Sequence, residues 1–232
     1  LKLKEINIPS SVTSIDSYAF SGCLSLIQIT IPLSVRIIGS GAFSGCSSLS
    51  KMVIPESVTE IGSSTFSGCS SLFQIKIQSK IDIIESNTFS GCISLIEFKI
   101  PETVKHIKQS AFSRCTSLKE IIIPATMISI EQKAFDECSS LNKVSMDIFN
   151  TKIEKDSFQK CDSLKKLIIT SSIKSIDKIN FEQIKQISNI ILPSTITSIE
   201  NSAFSGLSNL MYINLPSSIS SIGSGAFSGC SS

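Results

Sequence analysis

Eight cysteines and a single histidine are the side chains of this 232-residue sequence best suited to nucleophilic or metal chemistry. Cys23, Cys46, Cys69, Cys92, Cys115, Cys138 and Cys161 follow one another at intervals of 23 residues, and Cys230 falls in the same phase. None is paired as Cys-x-x-Cys, so the ligand spacing of a zinc ribbon is missing. In two repeats Ile184 and Leu207 take the cysteine's place. A position that accepts Ile or Leu is a buried one, and a thiol there behaves as a small hydrophobe with a weak donor. Neighbouring thiols in a stack would lie about 5 Å apart, within disulfide range by Cα distance. Their side chains should point in parallel, however, which disfavours bridging. The expectation is eight free structural thiols, no metal and no cofactor. His106 precedes Ile107 where other repeats carry Ser14, Glu60, Ser129, Ser175 or Ser198, so it is expected to face solvent. One histidine supplies neither a Ser-His-Asp triad nor a multi-histidine metal site. No phosphate-binding loop and no recurring carboxylate pair is present. Nothing here reads as an enzyme.

The spacing itself is the stronger signal. Phe recurs at 20, 43, 66, 89, 112, 135, 158, 181, 204 and 227, and only Phe73, Phe98 and Phe149 leave that phase. A fixed period in this range marks a solenoid. Six residues after eight of these Phe stands Leu (Leu26, Leu49, Leu72, Leu95, Leu118, Leu141, Leu164, Leu210), and nine and eleven after it stand apolar residues such as Ile121 and Ile123. Twelve after it comes Pro at 32, 55, 101, 124, 193 and 216, and eighteen after it always Ile.

These positions predict local structure. Leu118 to Ile123 alternates as a short strand with one buried face. Pro then ends the strand, because it has no N–H to give to a ladder. Val35 to Ile38 predicts a second extended piece on the opposite side, and Ala-Phe-Ser-Gly-Cys a return turn with Gly available for positive φ. Stacked coils place parallel strands about 4.8 Å apart. A single coil cannot bury enough to order its own backbone, so the coils must form one cooperative unit. The predicted fold is a mainly β, right-handed curved solenoid of about ten coils with a parallel sheet on its concave side, a single domain over 1–232 cut within a repeat at both ends. Asp147, Asn150 and Thr170 depart from the Pro and Val positions, and Ile184 and Ile187 from Cys and Leu, so irregular loops are expected between about 147 and 190.

The run Ile31-Pro32, Ser34-Val35, Ile38-Gly39, Ala42-Phe43-Ser44-Gly45-Cys46 closely resembles the BspA-like, Treponema-type leucine-rich repeats. The likeness extends along the whole chain. It implies an adhesive or interaction protein of the kind found on mucosal bacteria and protists or, in other members, inside cells.

If the array binds, its outward strand positions should show it, and these lie seven, eight and ten residues after each Phe. Lys51, Lys76, Lys99, Lys119, Lys143, Lys165 and Lys166 fall there, against the acids Glu97 and Glu120, with Phe73 and Ile96 among them. Val53, Ile122 and Ser145 occupy the same rows. Such a face suits a protein partner with an acidic patch; the competing reading is that lysine merely solubilises a strand surface. A second candidate is Lys178-Ile179-Asn180-Phe181, which fits the basic–aliphatic–x–aromatic motif that docks regulators on the catalytic subunit of protein phosphatase 1. Phe181 is in ladder phase, which argues for its burial. Surface adhesion to host matrix proteins is a third reading.

Net charge is +2, which excludes the basic footprint of a dedicated nucleic-acid binder. No apolar run approaches the roughly 18 residues needed to span a bilayer. None of the nine Asn residues lies in an Asn-x-Ser/Thr sequon and the thiols are expected free, which together favour a reducing, cytoplasmic setting over the cell surface. At the ends, Leu3, Ile6 and Ile8, and Ile219, Ile222, Phe227 and Cys230, should meet water, so end-to-end self-association is expected.

Overall fold

The computed structural model describes residues 2–147, 151–177 and 184–232. Through them runs a parallel β-solenoid of about nine turns in which long and short strands alternate. The long strands are β1 (Glu5–Asn7), β3 (Gln28–Thr30), β5 (Lys51–Ile54), β7 (Gln74–Ile77), β9 (Glu97–Lys99), β11 (Glu120–Ile122), β13 (Lys143–Met146), β15 (Lys166–Ile169), β17 (Asn189–Ile191) and β19 (Tyr212–Asn214). Between them lie two-residue strands on the opposite side, such as β10 (His106–Ile107) and β12 (Ser129–Ile130). Every pairing is parallel, with partners one repeat apart: Ile121 lies between Phe98 and Val144, and Ile107 between Ile84 and Ile130. Among the described residues there is no α-helix.

The ladder position of each residue explains its burial. Phe43, Phe66, Phe89, Phe112, Phe135, Phe158 and Phe204 are all buried, and from Phe20 to Phe158 successive rings stack with centroids 5.1–5.6 Å apart. Offset stacking at such separations adds about 0.5–1.5 kcal/mol per pair beyond area burial. Phe98 leaves the Phe phase because it fills the inward strand position, where its ring sets its edge against Phe112 at 4.9 Å.

The cysteines form a second column. All eight are free. Each of Cys46, Cys69, Cys92, Cys115, Cys138, Cys161 and Cys230 donates its thiol hydrogen to the backbone carbonyl of the Phe one coil earlier, at 3.0–3.3 Å. This accounts for cysteine where Ile would fill the space: the thiol is apolar enough for the core and still supplies a donor between coils. Burial pushes the Cys46 thiol up to about 11 and the Cys92 thiol to about 12, and raises Cys69, Cys115 and Cys138 as well.

The region expected to be least regular keeps its register. Strands β13 and β15 are four residues long, among the longest in the molecule. The reason lies in the residue after the second strand of each four-residue pair, β5–β7 and β13–β15. Where it is not Pro, its N–H extends the ladder: Gln78 donates to the Ile54 carbonyl at 2.9 Å and Thr170 to the Met146 carbonyl at 3.0 Å. The absence of Pro therefore lengthens the pairing and does not disrupt it. Thr170→Pro should accordingly cost about 1–3 kcal/mol by orphaning the Met146 carbonyl. A urea midpoint unchanged by that substitution would contradict this reading.

Where most coils place Gly two residues after the Phe, as at Gly68 (φ 72°), three hold Arg114, Glu137 and Lys160 at φ values of 62°, 61° and 55°. That conformation costs these residues on the order of 1 kcal/mol each. They line up one above another, and Glu137 accepts from Arg114 Nε at 3.0 Å and from Lys160 Nζ at 2.7 Å. The Lys160 ammonium holds the Glu137 carboxyl below its usual range.

Candidate protein-binding face

On the long strands, residues nine and eleven after each Phe turn inward, which leaves those at seven, eight and ten to form a surface. The structure places most of the expected residues on it. Lys51, Lys76, Lys99, Lys119 and Lys165 are exposed, as are Ile27, Val53, Phe73, Ile96 and Ile122. Lys51 Nζ lies 5.3 Å from the centre of the Phe73 ring, so side chains of neighbouring coils share one surface. Such a contact contributes about 0.5–1 kcal/mol when exposed.

Three expectations change. Ser145 is buried at 7% exposure, so it is not open to a partner. Lys143 and Lys166 are half-buried, together with Ser188, Asn189, Ile168 and Ile191, so the lysine-rich open part of the face lies toward its first coils, while Met211 and Tyr212 are exposed at its other end. Lys143 also pairs with Glu120 of the preceding coil, its register partner. Its charge is thereby largely spent within the protein. By contrast, Lys51, Lys76, Lys99 and Lys119 form no ion pair among the described residues. Glu97 stands beside Glu120 in register, so one unpaired carboxylate remains amid these cations.

His106, expected to face solvent, is half-buried; its Nδ1 hydrogen-bonds with the Ser129 hydroxyl at 2.9 Å across β10 and β12. This is a strand-to-strand link on the side away from the lysines. Among the described residues no group of three or more His, Cys, Asp or Glu could hold a metal ion, and no helix is long and apolar enough to cross a membrane. The motif Lys178-Ile179-Asn180-Phe181 lies outside the described residues. In the terminal coils Leu3, Ile8, Ile219, Phe227 and Cys230 are half-buried, while Ile6 is 36% and Ile222 53% exposed.

The model of the BspA type leucine-rich repeat region matches residues 1–119 and 105–232, in six copies. A leucine-rich repeat protein from Bacteroides ovatus is 30% identical, aligned over 99% of this chain and 71% of that one, with a TM-score of 0.62. A leucine rich cell surface protein from Faecalibacterium prausnitzii is 28% identical over 99% of this chain and 77% of that one, with a TM-score of 0.47. The T. pallidum leucine-rich repeat protein is 23% identical over 99% and 78%, with a TM-score of 0.36. No curated protein matches the sequence. The repeat period, the stacked Phe and Cys columns and the match along the full length converge on one assignment: the chain belongs to the BspA-type leucine-rich repeat family.

Proposed function

We propose that the array is a protein-interaction scaffold that seats an acidic protein partner on the open part of its long-strand face. The observation that carries this is the combination of Lys51, Lys76, Lys99 and Lys119, unpaired among the described residues, with exposed Val53, Phe73, Ile96 and Ile122 on one surface. Lysines that served only solubility would not need large apolar neighbours, whereas a binding face combines a desolvated apolar centre with charges that steer and orient.

The test is capture from an extract of the source cell on the immobilised array, with bound proteins quantified by mass spectrometry. Reversing Lys76, Lys99 and Lys119 to Glu should remove the captured partner while leaving the melting temperature within about a degree or two, since exposed charges contribute little to stability. Ile179→Ala with Phe181→Ala should leave capture intact. The opposite pattern would discard the face and install phosphatase docking through Lys178–Phe181 in its place. End-to-end self-association belongs to the same proposal, and sedimentation velocity over a concentration series reads it directly.

A further inference from the structure

The open part of the face carries two parallel tracks. Phe73 and Ile96, seven residues after their ladder Phe, are 39% and 47% exposed on adjacent coils. Lys76 and Lys99, ten after it, are exposed on the same two coils, near the ends of β7 and β9, which lie side by side. At about 3.3 Å per residue along a strand, the apolar track and the cationic track are roughly 10 Å apart. Ile122, 61% exposed, continues the cationic row on the next coil, where Lys119 continues the apolar one, so the two chemistries exchange sides there.

The step from coil to coil decides what can follow these tracks. Ring centroids in the Phe column advance by 5.6 Å from Phe66 to Phe89 and 5.2 Å from Phe89 to Phe112. The strands that carry the tracks lie about 4.8 Å apart. An α-helix laid along the solenoid axis rises about 1.5 Å per residue, so one coil corresponds to about three residues, close to the helical turn. Side chains at i and at i+3 or i+4 of such a helix therefore meet successive coils. An extended segment repeats its side chains every 6.6–6.8 Å or so and falls out of step after two coils. A helix is also about 10–12 Å wide, which matches the separation of the tracks.

We infer that the occupant of this face is an amphipathic acidic helix lying along the solenoid axis. Its Asp or Glu residues meet Lys76 and Lys99, and its adjacent apolar stripe meets Phe73 and Ile96. This rests on the proposal that the face binds an acidic protein. Glu97, between the tracks, argues against a continuous polyanion such as nucleic acid, which its carboxylate and that of Glu120 would repel. It favours instead a helix with a neutral or basic residue at its apex.

A fluorescein-labelled peptide of about 18 residues, helical and roughly 27 Å long, tests this. It carries Glu at i and i+4 on one stripe and Leu on the next, to match the two coils of the tracks. A second peptide has the same composition but two central prolines, which cannot continue a helix. Fluorescence anisotropy with the full chain should show the helical peptide binding at least about tenfold more tightly than the proline peptide. Lys76→Glu with Lys99→Glu should weaken it at least about tenfold and abolish its salt dependence, whereas Phe73→Ala with Ile96→Ala should weaken it and leave the salt dependence. Lys185→Glu, exposed on a turn away from the face, should change nothing. Equal binding of the two peptides, lost on lysine reversal, would overturn the helical occupant and leave the acidic-partner reading intact. Binding of neither peptide would also overturn it, and the extract capture above then decides whether the acidic-partner reading survives. Binding of the helical peptide unaffected by either double substitution would remove it from this face.

Discussion

Phe112→Ala should cost about 3–5 kcal/mol of stability, the range for emptying a fully buried aromatic site. Phe112 is completely buried, stacked at 5.2 Å on Phe89 and Phe135 and met edge-on by Phe98 at 4.9 Å. No neighbour can collapse into the space, because the coils above and below are held apart by their own backbone ladders. Phe112 N donates to the Ala134 carbonyl at 2.7 Å, and the Cys138 thiol to the Phe112 carbonyl at 3.1 Å. In a solenoid each coil is stabilised through its two neighbours, so a defect in the middle weakens two interfaces. For a chain of this length the melting temperature should fall by about 10 °C. Phe73→Ala, at an exposed ring, should stay within about 0.5 kcal/mol apart from its contact with Lys51. Urea denaturation of the two variants decides the matter. If Phe112→Ala cost no more than Phe73→Ala, the column would not be the spine of the fold.

Much of this architecture was legible because a solenoid converts long-range contacts into a fixed sequence offset. Phe112 meets Phe135 because they are 23 apart and in phase, and Ile121 pairs with Val144 for the same reason. Two findings were legible by that rule but need the rows compared coil by coil. The Lys143–Glu120 pair joins the same strand position in successive coils, and so does the run Arg114, Glu137, Lys160. Reading only the count of lysines on the face missed that one of them is already neutralised.

Other features are not encoded in side-chain identity at a fixed offset. The acceptor for each thiol is a backbone carbonyl 26 residues earlier, and no side-chain pattern encodes it; the cysteine positions mark burial, but not the donor role. Strand lengths at Gln78 and Thr170 depend on an N–H that Pro would have removed, so a departure from the repeat that looks like damage is a gained hydrogen bond. The burial of Ser145 and the half-burial of Lys166 and Ile168 depend on how neighbouring coils close over the strand, which alternation alone does not measure. As for the candidate site, its residues were legible and their availability was not.

The thiol column predicts an alkaline-labile protein. Burial raises the pKa of Cys46, Cys69, Cys92, Cys115 and Cys138 above the ordinary thiol value, to about 11 for Cys46 and about 12 for Cys92. Charge on the adjacent thiol would add to the effect at Cys46, Cys69, Cys115 and Cys138, and ionisation would also remove the hydrogen that each thiol donates to a Phe carbonyl. The folded state therefore retains protons that the unfolded chain releases. Because the folded pKa is the higher one, the stabilisation is complete below the unfolded thiol pKa of about 8.5 and declines as pH rises above it. For Cys46 the decline ends only near its folded value of about 11. Each thiol whose folded pKa is raised adds to the downward slope of stability with pH. Stability should therefore fall progressively as pH rises above about 8.5. The check is urea denaturation under reductant at about pH 7, 9 and 10. Combining Cys69→Ala, Cys92→Ala and Cys115→Ala will lower stability at neutral pH by opening cavities, but it should also cut the alkaline slope by more than half. The slope separates proton linkage from packing, because the cavities weaken the protein equally at every pH. A slope unchanged in the triple variant would show that the thiols are not its source.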